Sequence, residues 1–235
     1  MSNNLVLSDP TWDYDILQAT VEDEDKLLDF LMSDFLCTES LNLALNMAEE
    51  REITERFFRE IVQGSLTSDY SYYARSKADG RVIAARLSSV ITRPESSSEK
   101  ENVDENFTFN THKYSAKIQK IQDFLGAFEE KMWDLVPKDV NKLLIWLVLS
   151  VDKDFTRRGI ASKLLGIDSV EKLKTDGIQG FITEATAFKS QQLFERQGYD
   201  RLYVIKHAEW LDKDGNMVFN CPDGTNKATL EFKLL

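Results

Sequence analysis

The stretch that most constrains the fold of this chain is an apolar run from Leu143 to Val151. It reads LLIWLVLSV, and Ser150 is its one polar residue. A run of this length without polar alternation is typical of a strand buried on both faces, and therefore of the centre of a sheet. A polar turn at 152–154 follows, and apolar residues then recur at helical spacing from Gly159 onward. The sequence thus predicts a central strand, a short basic loop and a helix.

The loop between this strand and the helix has the features of an anion site. It reads TRRGIA over residues 156–161. A helix start presents unpaired backbone N–H groups and the positive end of the helix dipole, and Gly159 and Ala161 would let a ligand approach the main chain. The dinucleotide motif G-x-G-x-x-G and the phosphate loop G-x-x-x-x-G-K-[ST] are both absent. An ordinary helix start that carries two solvated arginines remains an equal alternative.

Composition narrows the class of protein. The chain has 235 residues, 40 acidic against 29 basic, and a net charge of -11, which argues against general nucleic-acid binding and favours cationic small molecules or basic peptides. The two cysteines are too few for a disulfide framework or a thiolate metal site, and His112 and His207 are too isolated for a metal site. No apolar run approaches membrane-spanning length, and the first residues lack a signal-peptide pattern. We therefore expect a cytoplasmic protein without metal, membrane or nucleic-acid partners.

Hydrophobic periodicity predicts an alternation of strands and helices without an internal repeat or linker. We expect one α/β or α+β domain over residues 1–235, with a mixed central sheet of about seven strands flanked by helices. Acidic, serine-rich residues 93–106 are expected to form a solvated loop, and residues 209–227 a second long loop. The predicted strands are 12–20, 69–76, 81–92, 143–151, 179–186, 199–207 and 228–235; the predicted helices are 21–35, 47–63 ended by Gly64, 112–135, one from 159 onward, and 188–197.

The basic loop resembles the acetyl-CoA pyrophosphate loop of the GCN5-related N-acetyltransferases, R/Q-x-x-G-x-G/A. Gly159 and Ala161 match its last two fixed positions, whereas Thr156 replaces the usual Arg or Gln. The order of predicted elements is also similar to that fold over nearly the whole chain. The resemblance implies acetyl-CoA as co-substrate and an acetyl carbonyl polarised by a main-chain amide at the splayed end of the central strand. The implied cofactor-binding residues are Leu149, Ser150, Val151, Thr156, Arg157, Arg158, Gly159, Ile160, Ala161 and Ser162.

Three segments resemble more closely the insect-type arylalkylamine N-acetyltransferases. Residues 35–42, FLCTESLN, resemble the family segment F-x-x-D-E-P-L, with Ser40 in place of proline. Residues 190–199 resemble its serine-rich helix, and residues 214–219 its extended loop before the last strand. By motif position, the family's general base falls on Glu39. Its two assisting hydroxyls fall on Thr186 and Ser190.

The resemblance assigns roles that the residues alone leave open. An alkylammonium of pKa about 10.4 must lose a proton before it attacks a thioester, which is the role implied for Glu39. Glu39 alone could equally be a helix-terminal surface carboxylate, Ser190 a hydroxyl that caps a helix, and Thr186 a strand-end hydroxyl. Phe194 stands where many acetyltransferases of this fold carry a proton-donating tyrosine, so either Ser190 protonates the departing thiolate or no acid is needed.

Three functions are therefore compared. The leading hypothesis is acetyl transfer to the primary amine of a small molecule, with arylalkylamines as the first class. The second is a protein or peptide N-acetyltransferase, which would need an open acceptor groove. The third is a CoA-binding module without turnover, which the departures at Thr156, Ser40 and Phe194 would fit. The sequence leaves the oligomeric state open and favours a monomer.

Overall fold

The computed structural model describes residues 4–94 and 114–235. It contains one eight-stranded sheet of order β1-β2-β3-β4-β5-β6-β8-β7. Neighbouring strands are antiparallel except for the parallel pair β5 and β6 at its centre. The strands are β1 (Leu5–Ser8), β2 (Tyr14–Gln18), β3 (Tyr72–Ser76), β4 (Val82–Thr92), β5 (Lys142–Val151), β6 (Gly180–Ala185), β7 (Asp200–Lys206) and β8 (Lys227–Leu234).

Helices cover both faces of the sheet. The α-helices are α1 (Glu24–Phe30), α2 (Leu36–Thr38), α3 (Ser40–Ala44), α4 (Arg51–Ser65), α5 (Ala116–Leu135), α6 (Ile160–Leu165), α7 (Val170–Thr175) and α8 (Phe188–Arg196); 3-10 turns occur at Val21–Asp23, Met47–Glu50, Lys153–Phe155 and His207–Glu209, and a π-helical turn at Leu31–Phe35. None of the helices within the described ranges combines the length and apolarity needed to cross a membrane.

The mixed sheet flanked by helices confirms the predicted fold class, with one strand more than expected. The additional strand is β1, which lies at the edge of the sheet and pairs with β2. All four of its residues are exposed, so its two faces carry no burial pattern. The periodicity rule therefore had no signal to detect.

Several helix predictions were wrong in detail. Residues 36–44, which lie between the helices expected at 21–35 and 47–63, form α2 and α3, with an extended backbone at Glu39 between them. Gly64 does not end its helix, because α4 continues to Ser65. The helix expected from 159 onward is two helices, since α6 ends at Leu165 and Ser169 caps α7 with its hydroxyl. His112 and most of the loop expected at 93–106 lie outside the described residues.

The sheet separates two apolar cores. The larger core packs α1 to α5 on one face and includes Phe58, Phe124 and Phe128. The opposite face is covered by α6, α7 and α8 and includes Trp146 and Phe194. Because β5 contributes side chains to both cores, the apolar run that predicted a two-sided strand is confirmed.

A buried arginine holds the α6–α7 connection against the sheet. Arg86 of β4 is completely buried and forms an ion pair of 2.7 Å with Asp168, in the segment between the two helices. Its guanidinium donates to the Leu164 carbonyl and to the Tyr70 carbonyl, and lies 4.3 Å from the ring centroid of Trp146. This long-range contact explains why the chain leaves the helix between residues 165 and 170.

We expect Arg86→Met to lower the free energy of unfolding by about 3 to 5 kcal/mol, because it leaves Asp168 buried without its cation. Urea unfolding measures this change. The matched control is Arg75→Met, whose side chain makes a half-exposed ion pair with Asp15 and should cost less than about 1 kcal/mol. Equal effects of the two substitutions would contradict the role given to the buried pair.

Candidate active site

The parallel strands β5 and β6 separate soon after they meet. Their shared register ends at Ile145 and Ile182, although β5 continues to pair with β4 and β6 with β8. The hydroxyl of Thr183 donates to the Trp146 carbonyl over 3.0 Å and bridges the first step of the divergence. A wedge therefore opens between the two strands at the centre of the sheet.

A bulge in β5 lies inside this wedge. Leu87 pairs with Val148 and Ser88 pairs with Trp146, so Leu147 is an extra residue on the β5 side. Such an insertion bends a strand and re-aims its side chains and main chain. The bulge thus reinforces the divergence from β6.

The wedge forms a cavity of about 530 Å³. Its size suits a small-molecule ligand, since such sites usually measure about 300–1,000 Å³. Residues from five parts of the chain line it: Phe35, Thr38 and Glu39; residues 146–151 of β5; residues 153, 155–157 and 159–162 of the following loop and α6; residues 183–187; and residues 189, 190, 193, 194 and 196 of α8.

The cavity brings together every predicted site residue except Arg158. Arg158 instead forms an ion pair with Asp13, donates to the Asp154 carbonyl over 2.9 Å and lies 4.5 Å from the ring centroid of Phe155. The segment before β2 therefore engages this arginine. Its neighbour Arg157 lines the cavity and has no hydrogen bond or ion pair of its side chain in the described part of the chain.

Glu39 is positioned by the break between two short helices. Its backbone is extended, with φ −77° and ψ 138°, and it is the N-cap residue of α3. The carboxylate accepts hydrogen bonds from the N–H groups of Leu41 at 3.0 Å and Asn42 at 2.8 Å. These two bonds satisfy backbone donors that a helix start otherwise leaves unpaired. Glu39 is thus a helix-terminal carboxylate that also lines the cavity.

A third donor orients the same carboxylate. The hydroxyl of Thr186 donates to Glu39 Oε1 over 2.8 Å and joins the end of β6 to the α2–α3 break. Burial raises the pKa of the Glu39 carboxyl above its ordinary value, although its three hydrogen bonds favour the anion. The result is a carboxylate that is fixed in place and more basic than an exposed glutamate.

Ser190 does not cap its helix. Its hydroxyl donates to the Ala187 carbonyl over 2.7 Å, so the alternative of a capping role is wrong. The cap comes from a distant residue, since Thr225 accepts a hydrogen bond of 3.1 Å from the Phe188 N–H. Ser190 lines the cavity with its proton engaged and its oxygen free to accept.

The long loop before β8 reaches the Glu39 segment. Asp223 accepts a hydrogen bond of 2.8 Å from Ser40, and Thr225 donates to the same carboxylate over 2.9 Å. These contacts tie residues 209–227 to both α3 and the start of α8. Ser40, which stands where the resembling segment has proline, therefore makes a tertiary contact.

The loop after β5 is shaped for close approach to its main chain. Gly159 has φ +74° and Arg157 has φ +61°, both in the left-handed region that disfavours most side chains. The first hydrogen bond of α6 runs from the Lys163 N–H to the Gly159 carbonyl over 3.0 Å. The N–H groups of Ile160, Ala161 and Ser162 precede it, and such groups can bind phosphate oxygens.

Charge is distributed unevenly around the cavity wall. Its basic residues come from the loop after β5 and from α8, whereas its carboxylates come from the α2–α3 break and the end of β6. The basic part of the wall suits an anionic ligand, and the part with the carboxylates suits a cationic one. The basic residues are Lys153, Arg157, Lys189 and Arg196, and the acidic residues are Glu39 and Glu184.

Sequence reasoning missed Glu184. It lies in β6, and its Oε1 atom is buried without a hydrogen-bond partner among the described residues. Burial and the nearby carboxylate of Glu129 on α5 raise the pKa of Glu184 to about 8. An acidic residue in the largely apolar stretch GFITEATAF was the signal available in the sequence.

Comparisons with solved structures identify the fold. Arylalkylamine N-acetyltransferase 2 from Aedes aegypti aligns with a TM-score of 0.75 and 21% identity, over 95% of this chain and 99% of its own. A polyamine N-acetyltransferase from Drosophila melanogaster aligns with a TM-score of 0.74 and 21% identity, over 95% and 100%. The C-terminal condensation domain of Ebony, bound to β-alanyl-dopamine, aligns with a TM-score of 0.67 and 17% identity, over 94% and 99%.

The chain therefore has the fold of the GCN5-related N-acetyltransferases, as its sequence resemblance implied. At these identities the likeness concerns the fold. Neither protein-family models nor curated proteins gave a match to the sequence.

We expect Glu184→Gln to raise the free energy of unfolding by about 1 to 3 kcal/mol at pH 8.5 and by much less at pH 5. The Glu184 carboxyl has a higher pKa in the folded chain than the ordinary value of 4.5. The wild type must therefore lose stability as the pH rises from about 4.5 towards 8. Urea unfolding at both pH values measures the difference, with exposed Glu195→Gln as the control. A gain that does not grow with pH would contradict the burial of an unpaired carboxyl.

Proposed function

We propose that this protein is an acetyl-CoA-dependent N-acetyltransferase that transfers the acetyl group to the primary amine of a small molecule. The observation that carries the proposal is the position of Glu39 and the loop 156–162 on the wall of one cavity, at the point where β5 and β6 diverge. A proton acceptor and a set of phosphate-binding donors thus meet beside an exposed strand edge. The solved structures of amine acetyltransferases with the same fold support this assignment.

The cavity fits the acetyl-CoA pyrophosphate. Its diphosphate would be held by the N–H groups at the start of α6, with Gly159 and Ala161 leaving the main chain accessible. Arg157 is free to meet a phosphate, and Lys153, Lys189 and Arg196 supply further positive charge on the wall. Thr156 contributes its main chain, because its hydroxyl donates to the Lys153 carbonyl over 3.0 Å.

The thioester carbonyl would lie along β5. Beyond Ile145 this strand has no β6 partner, so main-chain N–H groups on that side of Leu149–Val151 can donate to the carbonyl oxygen. Donors fixed in this way stabilise the negative charge that develops in the transition state, typically by about 3 to 4 kcal/mol each. The strand divergence therefore supplies electrostatic catalysis as well as space.

Glu39 would accept the proton of the substrate ammonium, directly or through water. Three hydrogen bonds hold its carboxylate, and one of them comes from Thr186. The neutral amine then attacks the acetyl carbon, and the bond from that carbon to sulfur breaks. The CoA thiolate that leaves takes up the second proton lost by the nitrogen, so the products are the neutral amide and CoA thiol. Ser190 is suited to accept a hydrogen bond from the ammonium, since its own proton is engaged by Ala187. Phe194 cannot protonate the thiolate, and a thiol of pKa about 8.5 leaves readily without help near neutral pH.

Arylalkylamines remain the first substrate class to test. Phe35 lies on the cavity wall beside Glu39, and its ring packs 5.7 Å from that of Phe58. An aromatic wall next to a carboxylate suits an amine with an aromatic group. The contacts of residues 209–227 with α3 and the start of α8 hold this loop beside two elements that border the cavity, which favours a small acceptor over a peptide.

We expect Glu39→Gln to lower kcat/KM for tyramine at pH 7 by about 100-fold or more, because general base catalysis typically contributes 10²–10⁴-fold. Thiol release from acetyl-CoA measures the rate. The loss should shrink as the pH rises, since more amine is then already neutral. The wild-type acidic limb, set by a Glu39 pKa above its ordinary value, should also disappear.

Glutamine can still accept the N–H groups at the start of α3, so this variant should fold. Exposed Glu52→Gln is the matched control. Wild-type kcat/KM in Glu39→Gln across pH 6 to 9 would refute the role of Glu39. Tight acetyl-CoA binding without thiol release over a broad amine panel would instead favour a module without turnover.

We expect Arg157→Ala to weaken acetyl-CoA binding by roughly threefold to tenfold and Arg158→Ala by less than about twofold. The two arginines are adjacent, but only Arg157 lines the cavity, while Arg158 is engaged by Asp13. Calorimetric titration with acetyl-CoA measures both dissociation constants. A larger loss for Arg158→Ala would overturn the placement of the phosphates.

A further inference from the structure

A serine lies in the part of β5 that has lost its β6 neighbour. Ser150 is the one polar residue of the apolar run that forms this strand, and it lines the cavity. The Asp152 N–H donates to the Ile83 carbonyl of β4 over 2.8 Å. Because this orientation alternates along a strand, the Ser150 N–H also faces β4, and those of Leu149 and Val151 face the other way. Ser150 therefore lies between two amides that open into the wedge.

The end of β5 is held by the sheet at one edge only. β4 pairs with it as far as Val151, whereas its register with β6 ends at Ile145. A strand end with few ladder hydrogen bonds opens readily, so a side-chain contact can limit its movement. The Ser150 hydroxyl makes such a contact, since it donates to Oδ2 of Asp34 over 3.0 Å.

Asp34 is brought to this point by a π-helical turn. The turn at Leu31–Phe35 interrupts the helical segment between α1 and α2, and turns of this kind are frequent at functional sites. Asp34 is buried, and it forms no ion pair with any residue that the structure describes. Burial, together with the nearby carboxylate of Asp152, raises the pKa of the Asp34 carboxyl. Proteins rarely bury a carboxylate without a cation unless it has a role at a site.

The same segment carries the proposed base. Glu39 follows Asp34 along the chain, and its N–H donates to the Phe35 carbonyl over 3.0 Å. The hydroxyl of Thr38 donates to the Asp34 carbonyl over 2.9 Å. A short series of hydrogen bonds thus joins the segment of the base, through the Asp34 carboxylate, to Ser150 and the open end of β5.

We propose that Asp34 is a positioning residue for acetyl transfer, which acts through Ser150 to hold the open amides of β5 at a fixed distance from Glu39. This inference rests on the proposed function. The amides stabilise charge on the thioester oxygen only when they already point at it, and Glu39 serves only an amine that lies beside the thioester. A misplacement of about 1 Å can lower such a rate by about 100-fold. Asp34 itself lies behind the part of the cavity wall that Ser150 lines.

The kinetic test removes the hydrogen bond from either side. We expect Ser150→Ala and Asp34→Ala each to lower kcat for tyramine by roughly tenfold or more. The KM for tyramine should stay within about twofold, because the lost interaction acts in the transition state. Since both substitutions remove the same bond, the double variant should be about as slow as either single variant. Rates of thiol release are referred to the number of acetyl-CoA sites counted by calorimetry, which removes the effect of unfolded protein.

A conservative variant separates positioning from a role of the charge. Asp34→Asn keeps an oxygen that accepts from Ser150, so its kcat should stay within about threefold of the wild type. If Asp34→Asn is as slow as Asp34→Ala, the proposal is overturned, because the reaction then uses the carboxylate charge. Wild-type kcat in Ser150→Ala, or losses that add in the double variant, would also overturn it. Exposed Asp29→Ala on α1 and Ser33→Ala in the same π-helical turn are the matched controls and should leave kcat unchanged.

Hydrogen exchange separates this inference from the proposed function. The N–H groups of Ser150 and Asp152, which face β4, should exchange roughly tenfold faster in Asp34→Ala than in the wild type. The N–H of Leu230, within β8, should exchange at the same rate in both proteins. If the wild type transfers no acetyl group, the proposed function fails, and the exchange rates still decide whether Asp34 holds the end of β5. Equal rates at Ser150 and Asp152 in the two proteins would overturn the inference even in an active enzyme.

Discussion

The early end of the pairing between β5 and β6 is the constraint on which the rest of the structure depends. Two parallel strands inside an otherwise antiparallel sheet share three register pairs and then separate, while each keeps its other neighbour. The separation exposes main-chain groups of β5 and turns the end of β6 towards the α2–α3 break. The cavity therefore lies between the two strands at the centre of the sheet, and neither apolar core has to be interrupted to form it.

Glu39 shows how one residue can serve both the fold and the proposed chemistry. Ser, Thr, Asp and Asn are the usual residues at a helix N-cap. The longer side chain of glutamate caps α3 with both of its oxygens and still reaches the Thr186 hydroxyl across the cavity. These bonds fix the carboxylate, while burial raises its pKa, so positioning does not abolish its basicity.

The sequence predicted those parts of the fold that local patterns determine. The strand at 143–151 was predicted from its unbroken apolar run, and the loop after it from its basic residues and glycine, so each pattern lies within a short stretch of the chain. Edge strand β1 was missed because it is exposed on both faces and so shows no alternation of apolar and polar residues. The break after α6 was missed because it depends on the ion pair of Asp168 with Arg86, which is far away in the sequence. Glu184 was missed as a site residue because its position on the cavity wall and its lack of a partner at Oε1 depend on the tertiary structure.

The contrast between two buried charges on the same sheet bears on the meaning of Glu184. Arg86 is surrounded by a carboxylate, two main-chain carbonyls and two aromatic rings. The chain thus gives a buried charge several partners where the charge serves the fold, although the Nε atom of Arg86 has no hydrogen-bond partner among the described residues. Glu184 lies on the wall of the cavity, its Oε1 atom has no hydrogen-bond partner among the described residues, and the carboxylate of Glu129 is near enough to raise its pKa. The cavity wall therefore carries a buried carboxyl whose charged form lowers the stability of the fold as the pH rises.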